Sequence, residues 1–353
     1  SFTFNGGLTT SSVGGTVTLN TNISSSDDAL TFGAITLGNN VTIDTNSTTT
    51  NRADITIGAV TGGSNTLTLT TENNVTGSDI TASGAISGVT TLTLASVGGT
   101  ATFSANISVT DLTISNTVAN VIFNGSSNTF TNAVTFQNDG TLTFGNSTDD
   151  SFTFNGGLTT SSVGGTVTLN TNISSSDDAL TFGAITLGNN VTIDTNATSN
   201  AGDITIAAVT GGSNNLTLST GNNISGADIT ASGAISGVTT LTLADVGGTA
   251  SFSADVDVTT LTIDNTVANV SITGSGSSVT NAVTFGNDGT LTIGDASGDS
   301  FTFNGGLTVS TASSTLAGSI DSSNDVMTFG AVTLAAATTL DSNATDGTGD
   351  ITI

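Results

Sequence analysis

The sequence predicts an all-β protein and, within that class, a parallel β-helix (β-solenoid) built from short strands. Three observations support this prediction: a long internal repeat, a dense series of short alternating segments, and turn residues in the gaps between them. No segment keeps an apolar period of 3.6 residues, and the helix formers Lys, Glu and Arg are almost absent. We therefore expect negligible helix.

The long repeat dominates the chain. Residues 1–46 recur unchanged as residues 151–196, and the motif SFTFNGGLT begins at Ser1, Ser151 and Ser300. Repeats of fixed period are typical of solenoids, in which neighbouring units stack to bury one continuous core. We predict one continuous solenoid with long repeats at 1–150 and 151–299 and a partial third repeat at 300–353. Because both ends are strand sequences in repeat register, we expect the array to continue, in the same polypeptide or by end-to-end docking of subunits.

Short runs recur every ten or so residues within each long repeat, as in Thr16–Leu19, Val41–Ile43 and Thr66–Leu69. Their alternation of Thr with an apolar residue is the period-2 pattern of a strand with one buried face. Gly, Asn, Asp and Ser fill the gaps, as in Gly62–Asn65, and these residues favour turns.

The two complete copies indicate which face of a strand is buried. Phe123 of the first copy is replaced by Ile272 in the second, so this position stays apolar. Its neighbour Ile122 is replaced by the polar Ser271. One set of alternate positions therefore points inward and the other outward.

Two architectural questions stay open at this point. Tandem β-sandwiches also use short strands, although the absence of Pro, Trp and Tyr favours the solenoid. A turn with two strands would take about 20–22 residues, and a turn with three strands would take about 30 residues.

The composition excludes several classes of function. A formal net charge of −26, with Arg52 as the only basic side chain, rules out ordinary binding to nucleic acid and disfavours anionic lipid. The sequence has no apolar run of 18 residues, so we expect no membrane insertion in this segment. The acidic balance favours solubility and attraction for divalent cations. The absence of Cys is compatible with an extracellular location.

The runs at 325–334, 338–343 and 349–353 resemble the repeats of large bacterial surface proteins. The families are the filamentous-haemagglutinin-like and β-strand-repeat proteins of giant adhesins and autotransported passenger domains. This resemblance implies a right-handed β-helical shaft, a location at the cell surface or outside the cell, and a role in adhesion or as an extracellular fibre.

The acid pair Asp27–Asp28 and its copy Asp177–Asp178 could suggest a polysaccharide-degrading β-helix, whose chemistry uses two carboxylates. The pair is repeated along the chain and becomes Asn324–Asp325 in the third copy, and the sequence contains no His or Lys base and no Trp or Tyr to stack on sugars. We predict no catalytic residues and no enzymatic activity. Thr-rich strands raise ice binding as another remote alternative, but we expect Thr to face outward on all sides.

Calcium is the candidate ligand, because a D-x-N turn followed by a further Asp recurs in each copy, and acidic turns of this kind can bind Ca²⁺. The same residues also favour turns for purely conformational reasons, so diffuse screening by cations competes with specific ligation. No other cofactor is predicted. The candidate residues are Asp44, Asn46 and Asp54 in the first copy, Asp194, Asn196 and Asp203 in the second, and Asp341, Asn343 and Asp350 in the third.

From these observations we expect a structural extracellular fibre or shaft whose principal partner is itself. The alternative is an adhesin repeat that binds glycans or other cells. Adhesive surfaces commonly use aromatic or Arg anchors, and few such residues are available for this surface.

Overall fold

A computed structural model describes residues 1–48, 51–310, 313–343, 345 and 348–353. The described residues form strands, turns and loops, with no helix, so no helix that could cross a membrane is found among them. The all-β prediction is therefore confirmed. The chain divides into two compact units, Ser1–Asn172 and Ile173–Ile353.

The first unit is a β-solenoid of very short strands. Most contain two to four residues, whereas β12 and β14 are longer because each spans two sides of the solenoid. The strands are β1 Phe2–Phe4, β2 Leu8–Thr9, β3 Val17–Leu19, β4 Ile23–Ser25, β5 Leu30–Thr31, β6 Ile35–Leu37, β7 Val41–Asp44, β8 Ile55–Ile57, β9 Val60–Thr61, β10 Leu67–Thr70, β11 Ile80–Ala82, β12 Ile86–Ala95, β13 Thr100–Phe103, β14 Ile107–Ile114, β15 Asn120–Phe123, β16 Ser127–Phe130, β17 Val134–Thr135, β18 Leu142–Phe144, β19 Ser151–Phe154, β20 Leu158–Thr159 and β21 Val167–Leu169.

The second unit repeats this architecture. Its strands are β22 Asn172–Ser175, β23 Leu180–Phe182, β24 Ile185–Leu187, β25 Val191–Asp194, β26 Ile204–Ile206, β27 Val209–Thr210, β28 Leu216–Ser219, β29 Ile229–Ala231, β30 Ile235–Ala244, β31 Thr249–Phe252, β32 Val256–Ile263, β33 Asn269–Ile272, β34 Ser278–Val279, β35 Val283–Phe285, β36 Thr290–Ile293, β37 Ser300–Phe303, β38 Leu307–Val309, β39 Ser313–Asp321, β40 Met327–Thr328, β41 Val332–Asp341 and β42 Ile351–Thr352.

The described strand pairings are parallel, as expected for a solenoid and not for antiparallel sandwiches. Three stacked columns of strands form three sides in the first unit. Side A begins with β1, β4, β7 and β10; side B runs through β2, β5, β8, β11, β13, β15, β18 and β21; side C runs through β3, β6, β9, the first half of β12 and of β14, β16 and β19.

A full turn of the solenoid is short even though it has three sides. The shortest spacing joins Val17 to Ile35, 18 residues further along, and the longest joins Val41 to Leu67, 26 residues further along. Both predictions for the turn, two strands in the shorter length or three strands in the longer one, are thus corrected in part. Three strands fit into a turn of the length expected for two, because the strands and corners are so short. The described chain makes about 16 turns.

The interior is mainly a stack of aliphatic and phenylalanine side chains. Phe103, Phe123 and Phe144 lie one above another on side B with ring centroids 5.2 Å and 5.9 Å apart. Phe123 is fully buried, and so is its replacement Ile272, whereas Ile122 and Ser271 are only partly buried. This agrees with the inward and outward faces predicted from the two copies.

The outward positions carry ladders of threonine on each of the three sides. Such ladders suit an exposed strand surface, because the β-branched side chain favours the extended backbone. Aligned residues include Thr42, Thr68, Thr93 and Thr113 on side A, Thr56, Thr81 and Thr102 on side B, and Thr18, Thr36 and Thr61 on side C.

The long repeat does not contain a whole number of turns. Strands β1–β18 cover twenty sides, because β12 and β14 each span two, and twenty is not a multiple of three. Strand β19, whose sequence copies β1, therefore lies on side C although β1 lies on side A. Likewise β21, which copies β3 from side C, lies on side B. Within the first unit, a sequence and its copy thus face different directions.

Candidate functional site

The D-x-N turns lie at corners of the solenoid, and their polar groups bind backbone. Oδ1 of Asp44 accepts a hydrogen bond from the N–H of Asn46 at 2.8 Å, and Asn46 has a positive φ of 44°. Nδ2 of Asn46 donates to the carbonyl oxygen of Ser25 in the preceding turn at 2.8 Å. Both bonds recur in the other copies, from Asp194 and Asn196 and from Asp341 and Asn343.

The third residue of each candidate set has a different task. Oδ1 of Asp54 accepts from the N–H of Asp79 in the next turn at 2.9 Å, and Oδ1 of Asp79 accepts from Thr100 at 2.7 Å. Asp203 does the same for the N–H of Asp228 at 2.9 Å. Asp350 is exposed, and its backbone N–H donates to Thr348 at 3.2 Å.

These contacts bear on the calcium candidates. Among the described residues, no three carboxylate, His or Cys side chains come together in a group that could hold a metal ion. The loop from Asp341 to 347 lies partly outside the described residues, at positions 344, 346 and 347. What the structure shows for the candidate residues is a set of corner hydrogen bonds, and calcium ligation stays a prediction.

Asparagine residues directly before the first apolar residue of a strand form a second set of corner contacts, which sequence reasoning missed. Oδ1 of Asn40 accepts from the N–H of Thr66 at 2.9 Å, and Oδ1 of Asn120 accepts from Thr141 at 2.9 Å. In each case the side chain binds the backbone of the following turn. The available signal was the recurrence of Asn directly before the first apolar residue of a strand, as in Asn40–Val41 and Asn120–Val121.

A buried carboxylate closes one corner in both complete copies. Oδ2 of Asp150 accepts from the N–H groups of Asn146 and Ser147 at 2.9 Å and 3.1 Å. Asp299 binds Asp295 and Ala296 in the same way at 2.9 Å each. Because two N–H groups satisfy one oxygen of each carboxylate, these residues hold the turn together.

The carboxylates titrate according to these surroundings. The pKa of Asp44 is raised to about 6. Burial is the main cause, the nearby Glu72 carboxylate also raises this pKa, and the hydrogen bond from the Asn46 N–H lowers it. Burial also raises the pKa of Asp194. In contrast, the N–H groups of Thr198 and Ser199 hold the pKa of Asp177 well below its usual range. Asp177 therefore stays ionised and accepts hydrogen bonds. At neutral pH it cannot donate a proton.

A shallow groove occurs at equivalent positions in the two units. In the first unit it follows the bulge of β12, where Gly88 has a φ of 65° and the register shifts between Ser87 and Val89. Its volume is about 220 Å³ in the first unit and about 290 Å³ in the second. Hydroxyl groups dominate its lining, formed by Ser64, Gly88, Val89, Thr90, Ser108, Val109, Thr110 and Thr131 in the first unit and by Ser213, Gly237, Val238, Thr239, Asp257, Val258, Thr259, Ser278 and Thr280 in the second.

The described geometry defines the chain as a repetitive parallel β-solenoid with polar corner ladders. In comparisons with models of protein families, with curated proteins and with solved structures, nothing matches this chain.

Proposed function

We propose that the chain is a structural segment of an extracellular fibre, a shaft on a bacterial cell surface, with no catalytic chemistry. One observation carries the proposal: the same kind of short parallel turn recurs throughout the described residues, with buried apolar ladders inside and threonine ladders outside. Corner carboxylates and amides are bound to backbone N–H groups, and a role in cohesion accounts for them.

The surface chemistry supports an extracellular setting. The chain contains no Lys, and its only basic residue, Arg52, leaves trypsin-like proteases one side chain to recognise. Divalent cations would screen the net charge of −26 without a dedicated site. We expect the chain to associate chiefly with turns or shafts of its own kind, so that its principal partner is itself. An antibody against this segment should label intact source cells, and labelling only after lysis would contradict the location.

Deleting one long repeat tests the structural role. Removal of residues 151–299 joins Asp150 to Ser300, which begins the same SFTFNGGLT motif as Ser151. The junction is preserved, so we expect the variant to fold and its maximum dimension to fall by about 32 Å, the rise of twenty sides at about 4.8 Å per turn. Small-angle scattering measures this dimension. A folded variant of unchanged length would overturn the shaft proposal.

The recurrent groove favours an adhesin repeat as a second candidate function. Its exposed hydroxyls suit the hydroxyls of a neutral saccharide, and the acidic chain would repel an anionic one. Nuclear magnetic resonance titration with cellotriose, mannotriose and trigalacturonate would test this. Thr110→Ile combined with Thr259→Ile should abolish binding of the neutral sugars, and the control pair Thr113→Ile with Thr262→Ile should retain it. Equal binding by both double variants would reject the groove as the site.

A further inference from the structure

The two grooves differ in one charged residue. Asp257 lines the groove of the second unit, which we call the second groove, and Ser108 occupies the equivalent position in the groove of the first unit, the first groove. At each of the other seven positions that line the first groove, the second groove has the same residue type. The second groove therefore repeats the first groove with a carboxylate added to its wall.

Asp257 holds the same place in its strand that Ser108 holds in the first unit. It pairs with Ser236 of one neighbouring turn and with Ser278 of the other, and Ser108 also lies between two residues that carry hydroxyl groups. The side chains of Asp257 and Ser108 are both exposed. The exchange of Ser for Asp thus changes the charge of the groove without changing the strand pairing.

A second exchange beside the groove has an explanation in the corner contacts. Oδ1 of Asn106 accepts a hydrogen bond from the N–H of Ser127 at 3.0 Å in the first unit. Asp255, its counterpart in the second unit, accepts from the N–H of Gly276 at 2.8 Å and so keeps the same task. Asp257 lies within strand β32 and not at a corner, so the role that explains Asp255 does not explain Asp257.

The second unit supplies no basic side chain to pair with Asp257. Residues 173–353 contain no Lys, Arg or His, and the single basic side chain of the protein, Arg52, belongs to the first unit. Partial burial, and then the nearby Asp255 carboxylate, raise the pKa of Asp257. The ionised carboxylate is therefore less stable here than in water, and a cation in the groove would stabilise it.

The rest of the lining indicates which kind of cation fits. Ser213, Thr239 and Thr259 of the second groove carry hydroxyl groups, which can bind the hydroxyls of a sugar. Among the described residues, no three carboxylate, His or Cys side chains form a group, so Asp257 offers a metal ion too few ligands. The groove volume of about 290 Å³ lies near the lower end of the range for ligand pockets, about 300–1,000 Å³. A small saccharide with a protonated amino group matches the carboxylate, the hydroxyls and the size.

We propose that the second groove binds an amino saccharide, whose protonated amino group is held by the carboxylate of Asp257. The hydroxyls of Thr239 and Thr259 contact the hydroxyls of the same sugar. A charge-assisted hydrogen bond is stronger than a neutral one, so the second groove selects the amine, and the first groove, with Ser108, lacks this preference. The inference rests on the adhesin-repeat function given above as the second candidate, and it deepens that function by naming the ligand of one groove.

A matched pair of trisaccharides tests the proposal on the intact chain. Cellotriose and the equivalently linked trimer of glucosamine differ only in that each glucosamine ring has an amino group in place of one hydroxyl. In a nuclear magnetic resonance titration at about pH 6, where amino groups are protonated, the methyl groups of Val89 and Val109 report on the first groove and those of Val238 and Val258 on the second. The acidic chain attracts a cation to both grooves, so the comparison between grooves isolates the effect of Asp257. We expect the preference for the glucosamine trimer over cellotriose to be about fivefold greater in the second groove than in the first.

Exchanging residues between the two copies tests the role of Asp257 directly. Asp257→Ser should reduce the preference of the second groove to that of the first, and Ser108→Asp should give the first groove the preference of the second. Each new residue already occurs at this position in the other copy, so we expect both variants to fold. Asp264→Ser is the control, because it removes the same charge outside the groove lining and restores the residue of the first copy, Ser115. It should leave both preferences unchanged.

The remaining outcomes separate this inference from the functions proposed above. A preference in the second groove that survives Asp257→Ser, or an equal preference in the two grooves of the unaltered chain, would overturn the proposal. If cellotriose binds both grooves and the glucosamine trimer gains nothing in the second, only this inference falls. If neither sugar binds either groove, the adhesin-repeat function falls with it, whereas the repeat deletion still decides the shaft proposal. Saturable shifts of the Val258 methyl groups by Ca²⁺, without binding of the glucosamine trimer, would assign the groove to a metal ion and overturn the proposal.

Discussion

Asn324 accepts a hydrogen bond from the backbone N–H of Thr345 at 2.6 Å, in the place where Asp177 of the preceding copy accepts from the N–H of Thr198. Each acceptor has a positive φ, 64° for Asn324 and 68° for Asp177. The chain thus uses a carboxylate and an amide interchangeably at this corner. What the position requires is an oxygen acceptor on a residue that tolerates the left-handed conformation.

Replacement of Asp177 by Asn should therefore leave the melting temperature at pH 7 nearly unchanged, whereas Asp177→Ala should lower it. The N–H groups of Thr198 and Ser199 lower the pKa of Asp177 in the folded state, so its contribution is present above the unfolded pKa of about 4 and is lost as the pH falls further. Asp177→Asn should remove this acid sensitivity. Thermal melts from pH 2 to pH 7 measure both effects, and equal losses in the Asn and Ala variants would contradict the acceptor role.

Asp44 should show the opposite dependence on pH. Its pKa is raised from 3.8 to about 6, chiefly by burial, so the folded state holds the proton more tightly than the unfolded state. The free energy of unfolding should therefore fall as the pH rises from about 4 to about 6. Asp44→Asn keeps the acceptor for Asn46 and should increase stability at pH 7 by on the order of 1 kcal/mol, a value reduced for solvent screening of this half-exposed group.

Glu72→Gln provides the control for Asp44. Removing the neighbouring carboxylate should lower the pKa of Asp44 toward its ordinary value and shift the decline in stability to lower pH. Denaturation at a series of pH values follows both variants. A pH profile that is unchanged by Asp44→Asn would show that the decline has another origin.

Asn120 tests the asparagine corner contacts at the start of strands. Asn120→Ala removes the acceptor of the Thr141 N–H and should lower the free energy of unfolding by about 0.5–1.5 kcal/mol. Asn120→Asp should retain most of the stability, because Asp54 and Asp79 make the same kind of bond elsewhere in the solenoid. If the Asp variant is as unstable as the Ala variant, the side-chain oxygen is not the stabilising group.

Phe123 tests the core. Phe123→Ala should cost about 3–5 kcal/mol, because the ring is fully buried among five other rings, whereas Phe123→Ile should cost much less. Ile occupies this position in the second copy, as Ile272. The outward change Ile122→Ser, also present in the second copy, serves as the surface control and should alter the melting temperature least.

Cation dependence distinguishes screening from ligation. With Asp44 and Asp54 bound to backbone N–H groups, we expect Ca²⁺ and Mg²⁺ at equal concentration to raise the melting temperature to the same extent. A rise that only Ca²⁺ produces, and that chelation reverses beyond the effect of matched monovalent salt, would instead establish calcium binding at the D-x-N turns.

The fold class and the inward face of each strand could be predicted from the sequence, because the same local sequence pattern recurs in every turn of a solenoid. Phe123 and Ile122 could be assigned from their replacements alone, since a buried position tolerates only apolar exchange. The number of sides per turn could not be assigned in the same way. It depends on where the chain bends, and the Gly88 bulge, which lets β12 span two sides, has no signature distinct from that of an ordinary turn glycine.

The corner chemistry was predictable only in part. The sequence predicts D-x-N as a turn, and the turn is present, but the bond that Asn46 donates to Ser25 and the bond that Asp54 accepts from Asp79 join residues of different turns. Such contacts are set by the length of the turn, which the sequence left open. The role of Asp150 could not be predicted, because the residue is buried and bound to the backbone N–H groups of Asn146 and Ser147 without any neighbouring apolar pattern to indicate it.

The mismatch between twenty sides and three-sided turns links copy number to direction. Each added copy that keeps the register seen between β1 and β19 lengthens the array by about 32 Å and swings the next copy one third of a revolution about the axis. Gain or loss of a single repeat by recombination would therefore change the length of the array. It would also change the direction in which the residues after that repeat face, without any change in their sequence.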